Sequence, residues 1–198
     1  MKKELQIVIE GSARHVHLNR EAVEVLFGPG AVLHNVRELS QPGQYLTEEK
    51  VRVEGPRGGI DRVSILGPER PAAQAELSMT DARALGLSIP VRESGDIAGS
   101  SPCRLVGPYG TLDLSEGAIA AQRHIHITPE DAETYGLSDK EVVRVRTDGP
   151  RALVFDQVVV RVSPQFRTRL HIDIDEFNAA GLSGEATGTV VKKLTIDN

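Results

Sequence analysis

The sequence predicts a mainly β protein: two quasi-repeated small β-barrels capped by short α-helices. Three observations carry that prediction. Short alternating runs outnumber helical ones, a strand-into-helix unit recurs four times, and a hairpin with a Gly-Pro turn recurs between those units.

The elements follow in chain order. "MKKELQIVIEG" alternates like a strand and carries no apolar core or cleavage site of a secretory leader. "HVHLNREAVEVLFG" from His15 alternates over four residues and then turns helical, with Asn19 as the expected N-cap. "VRVEGPRGGIDRVSIL" (51–66) reads as a hairpin around Gly-Pro. "ELSMTDARALGL" from Glu76 repeats the strand-into-helix unit, with Thr80 as cap and Gly86 as stop. "ESGDIAGSSP" (93–102) reads as a linker, followed by a shorter hairpin, "CRLVGPYGTLDL" (103–114).

The pattern then starts again. "HIHITPEDAETYGL" from His124 has Thr128 as cap, Pro129 at the first helical position and Gly136 as stop. "VRVRTDGPRALVFDQVVVRV" (143–162) is the matching hairpin, and "HIDIDEFNAAGL" from His171 closes the series with Asp175 as cap and Gly181 as stop. The expected division is therefore 1–95 for the first barrel half and 96–198 for the second.

Composition narrows the function classes. A chain of 198 residues with net charge −5 is no binder of nucleic acid through bulk phosphate attraction, and no run approaches the roughly 20 apolar residues of a membrane span. The single cysteine, Cys103, excludes a disulfide framework and favours a reducing, cytoplasmic setting. Arginine supplies 17 of the 23 cations, which suits a local phosphate grip through a planar fork. Most of these arginines are expected on the solvent side of strands.

The chemistry sits in the repeats. His-x-His on a strand puts two imidazoles on one face about 7 Å apart along the chain, a spacing from which two rings converge on one metal. Five of the six histidines occupy the repeat frame, and only His34 falls outside it. Glu76 and His171 take the frame position of the first histidine in each pair. Quasi-symmetry then groups His15, His17 and Glu76 as one ligand set and His124, His126 and His171 as another. Three N/O ligands without a thiolate point to a catalytic metal with an open position, and the donor types favour zinc. Arg70, six residues before Glu76, is placed either as a phosphate clamp at that site or as the partner of Glu69. Arg14 and Arg123, each just before a histidine pair, point away from the metals on a regular strand and suit structural ion pairs.

"SARHVHL", "LGPERPAAQAELSMTDARALG", "RHIHIT" and the later "LHID" resemble, in order and over nearly the whole chain, the phosphate propanoyltransferase (phosphotransacylase) family. The resemblance implies two β-barrels with a dinuclear zinc site between them. It also implies reversible transfer of a short acyl group between coenzyme A and phosphate. It places the first zinc on His15, His17 and Glu76, the second on His124, His126 and His171, and phosphate on Arg70. Family members sent into bacterial microcompartments carry an extension ahead of this core. None precedes the first repeat here, so a free cytoplasmic enzyme is expected, with shell association as the alternative.

Other readings stay open from the sequence alone. A metal-dependent acyl-CoA thioesterase would use the same ligands, and a non-catalytic zinc-stabilised barrel would close them with a fourth. Cys103 is a candidate acyl carrier, although its strand-start context suits core packing. Asn178 lies one helical turn after the His171 strand, where it either supports the second site or faces solvent. Exposed strand edges make a homodimer an expectation.

Overall fold

The computed structural model describes residues 4–191, which contain fourteen strands and four short helices. β1 (Gln6–Ser12) leads into β2 (His15–His17) and α1 (Arg20–Phe27). Then come β3 (Asn35–Glu38), the long hairpin β4 (Tyr45–Gly55) and β5 (Gly58–Gly67), β6 (Gln74–Glu76), α2 (Met79–Leu85) and β7 (Val91–Arg92). β8 (Ser101–Val106) and β9 (Thr111–Ala121) form the next hairpin, followed by β10 (His124–Ile127) and α3 (Pro129–Tyr135). β11 (Val142–Thr147), β12 (Val154–Val162), β13 (Arg169–Asp173), α4 (Ile174–Ala179) and β14 (Ala186–Val191) complete the series.

The chain forms two compact units. Of the described residues, 13–121 make one, and 4–12 with 122–191 make the other. In the first, β2 pairs with β5 in parallel, β5 with β4, β4 with β8 and β8 with β9 antiparallel, β9 with β6 in parallel, and β6 with β2 antiparallel. The ring closes with six strands. In the second, β10, β12, β11, β14, β1 and β13 close in that order, with the same sequence of parallel and antiparallel pairings.

The compact units do not follow the expected division at 95/96, and strand exchange is the reason. β1 precedes the first histidine strand in sequence but completes the barrel of the second. β9 precedes the second histidine strand but completes the barrel of the first. A contiguous cut would take β8 and β9 out of the ring they close.

Period-two alternation sets the cores. Val16 and Leu18 pack inside the first barrel with Val51, Val53, Ile65 and Leu105. Ile125 and Ile127 pack inside the second with Ile7, Ile9, Val143 and Leu170. The histidines between them therefore face away from the apolar interior.

Asn19 and Thr128 cap α1 and α3 as expected, but Ser78 and Asp173, not Thr80 and Asp175, cap α2 and α4. In these two units the helix is capped two residues after the ligand, not four, so Ser78 and Asp173 are placed to accept from the helix amides. Asp173 forms a reciprocal capping box with Glu176, a device worth about 1 kcal/mol.

The recurring Gly-Pro turn has a packing reason in the first barrel. The amide of Arg57 donates to the carbonyl of Leu85 at the end of α2, and that of Tyr109 to the carbonyl of Leu26 in α1, both at 3.0 Å. A Cβ on Gly55 or Gly107 would fall 2.5 or 2.3 Å from those same carbonyl oxygens. Glycine is needed there so that the hairpin can cap the helix.

Candidate metal centre

In the first barrel three side chains meet. His15 is in register with Glu76 across the β2–β6 ladder, and His17 lies two residues further along the same face. His15 Nε2 is 3.2 Å from His17 Nε2 and 3.4 Å from Glu76 Oε2, and His17 Nε2 is 3.5 Å from Glu76 Oε1. All three residues are buried.

The tautomers are set from outside. His15 Nδ1 donates to the carbonyl of Ala13 at 2.9 Å and His17 Nδ1 to that of Leu66 at 3.0 Å. A carbonyl only accepts, so each Nδ1 carries the proton and each Nε2 presents a lone pair. Two lone pairs and a carboxylate at this separation repel unless something positive lies among them. Ligands about 2.0–2.1 Å from a tetrahedral zinc are separated by about 3.3 Å, and the three observed distances match that edge.

Without a cation, a proton takes the role. Burial pulls the His15 imidazole down, but the charge and hydrogen bonding of Glu76 more than offset it and leave the group above its ordinary 6.5. Burial dominates at His17, pushing it down to about 4 despite Glu76. Burial opposes ionisation of Glu76, yet the two imidazoles hold it well below the usual carboxylate range.

A second layer fixes the carboxylate. Glu76 Oε1 accepts from Gln74 Nε2 at 2.7 Å and from the Ser94 hydroxyl at 2.5 Å. Ser94 Oγ in turn accepts from Arg70 at 2.8 Å, and Gln74 Oε1 accepts from the amide of Gly95 at 3.0 Å. Arg70 thus reaches the site through Ser94, and its charge acts on both His15 and His17. Glu69 pairs with Arg20 at 3.2 Å. The stretch expected as a linker, 93–102, is therefore part of the site's wall.

Gln74 shares a strand face with Glu76 at period two, which was the available signal for it. Nothing in the sequence marked Ser94.

In the second barrel His124, His126 and His171 come together. His124 is in register with His171, as His15 is with Glu76. Their ring centroids are 4.6, 4.9 and 5.3 Å apart, close to the about 5 Å expected for imidazoles sharing one metal. His124 Nδ1 donates to the carbonyl of Gln122 at 2.8 Å, repeating the His15–Ala13 contact. This trio is looser: among the described residues, only the first set brings all its ligand atoms within 4.8 Å of one another.

The remaining candidates fall outside these clusters. Arg14 pairs with buried Asp81 of α2 at 2.8 Å and Arg123 with Glu176 of α4 at 2.6 Å, the structural ion pairs expected of them. Cys103 is buried in the core, where burial pushes its thiol up to about 12. Asn178 is exposed on α4, and His34 is an exposed partner of Glu49 at 2.6 Å. Among the described residues no helix is long and apolar enough to cross a membrane.

Comparison with known proteins shows the family. The family model for phosphate propanoyltransferase matches residues 8–183. A phosphate propanoyltransferase of Listeria monocytogenes is 51% identical over 190 residues, covering 96% of this chain and 89% of the relative. Proteins of the same name from Clostridioides difficile and Thermotoga maritima are 47% and 48% identical, covering 98% and 96% of this chain and 92% and 90% of their own. With its paired histidine strands and near-complete coverage, the chain belongs to the phosphate propanoyltransferase family of acyltransferases.

Proposed function

We propose that the protein interconverts a short-chain acyl-CoA and phosphate with the acyl phosphate and coenzyme A. His15, His17 and Glu76 hold one zinc ion, and His124, His126 and His171 hold a second. The observation that carries this reading is the convergence of His15, His17 and Glu76 at 3.2–3.5 Å, with Arg70 tied to the same carboxylate through Ser94.

Bound zinc supplies a Lewis acid for the thiolate and for negative charge developing on the acyl oxygen. The chain's own groups set up the rest. The carbonyls of Ala13 and Leu66 aim two Nε2 lone pairs inward. Gln74 and Ser94 hold Glu76 against rotation, and the carboxylate offsets one unit of the cation's charge. Arg70 donates to Ser94, and its positive charge beside the site suits a dianionic phosphate. In the forward direction the carbon–sulfur bond breaks and a carbon–oxygen bond to phosphate forms. The proton released by phosphate ends on the departing thiolate.

The test is release of free coenzyme A from acetyl-, propanoyl- and butanoyl-CoA, each with and without phosphate. Release that requires phosphate and yields acyl phosphate supports the proposal. Release of free acid without phosphate assigns a thioesterase instead, and no release from any substrate by zinc-loaded protein contradicts both.

A further inference from the structure

The two centres differ at one matched position. β9 runs parallel to β6 with the fully buried Ile119 in register with Glu76. Its counterpart β1 runs parallel to β13 with Glu10 in register with His171. Where the third ligand changes from glutamate to histidine, the residue beside it changes from isoleucine to glutamate.

The chemistry of the ligands explains the pairing. A carboxylate has no tautomer to set, so an apolar neighbour suffices. A histidine ligand needs an acceptor on one ring nitrogen so that the other is left with its lone pair. His15, His17 and His124 find theirs in the carbonyls of Ala13, Leu66 and Gln122. His171 Nδ1 instead faces Glu10 Oε2 at 3.7 Å, and Arg169 Nε lies 3.5 Å from the other oxygen of that carboxylate.

We infer that Glu10 is the positioning residue of the second centre. At 3.7 Å its carboxylate acts on His171 through charge, favouring the tautomer with the proton on Nδ1 that leaves Nε2 for the metal, and it is itself paired with Arg169. The inference rests on the reading of His124, His126 and His171 as metal ligands. Glu10 acts through His171 and contributes no ligand of its own.

Zinc affinity measured by competition with a chromogenic chelator tests it in a Glu76→Ala background, where only the second centre reports. Glu10→Gln and Glu10→Ile are expected to weaken binding there about 10- to 100-fold, with Glu10→Asp in between. In a His171→Ala background the same substitutions leave the first centre within about twofold of its parent. Cobalt bound at the second centre reports the change directly, as a shifted visible spectrum in Glu10→Gln. Binding within about twofold of the parent in both Glu10→Gln and Glu10→Ile overturns the inference, as does equal weakening of both centres. If the Glu76→Ala parent binds no zinc, the second-centre reading fails and the inference falls with it. If that parent binds zinc and Glu10→Gln binds it equally, the inference alone fails.

Discussion

His15 and Glu76 face each other in register across an antiparallel ladder, a position where Cβ atoms lie about 4.5–5.5 Å apart. One histidine pair along a strand and one ligand opposite its first member are enough to close three donors on a point. His124 and His171 repeat the relationship in the other barrel.

Removing Glu76 leaves two imidazoles whose lone pairs face each other with no charge to balance a cation. Glu76→Ala is expected to lower zinc affinity at the first centre by more than the about 10- to 100-fold typical of outer contacts. Chelator competition in a His171→Ala background measures it.

Arg70→Ala is expected to raise the KM for phosphate about 10- to 100-fold, the worth of one or two charge-assisted hydrogen bonds, with metal content unchanged. Elemental analysis alongside steady-state kinetics separates the two effects. An unchanged phosphate KM removes Arg70 from the clamp role.

Ser94 joins Arg70 to Glu76, so Ser94→Ala is expected to act on both sides of that link. Zinc affinity at the first centre falls and phosphate KM rises together, whereas Ser94→Thr, which keeps the hydroxyl, recovers much of each.

Acid stability isolates His17. Its pKa is lowered by burial to about 4, so between pH 6.5 and 4 the unfolded chain binds a proton that the native chain refuses. Stability of the metal-free protein therefore falls on acidification through that window, by up to about 3 kcal/mol. His15, raised above 6.5, has the opposite sign and loses its contribution as pH climbs. Urea unfolding at several pH values is expected to show a shallower slope for His17→Gln. The same slope in both proteins contradicts the assignment.

Cys103→Ala is expected to keep acyl transfer within about twofold and cost about 1 kcal/mol of stability, because a buried thiol pushed up to about 12 offers almost no thiolate at neutral pH. Complete loss of turnover in a folded Cys103→Ala protein would restore a covalent route.

Much of this architecture is legible before any coordinates, for physical reasons. Alternation around His15 and His124 specifies strands with imidazoles on one face, and Thr128 followed by Pro129 specifies a helix start. The closure of each barrel by a strand from the other repeat is not legible, because neither the pairing of β1 with β13 nor that of β9 with β6 leaves a local pattern. β1 reads as a strand, but nothing in it says that its partner is β13. The two shifted helix caps lie two residues after Glu76 and His171, not four, an offset the strand alternation does not fix. Ser94 was hidden for a related reason: a serine in a Gly-rich loop looks like a linker until the fold brings it to Glu76.

The most direct test of the central claim is the zinc retained per chain after exhaustive dialysis. About two ions are expected in the wild type and about one in each of Glu76→Ala and His171→Ala. A folded wild type that retains none, or retention unchanged by both substitutions, contradicts it.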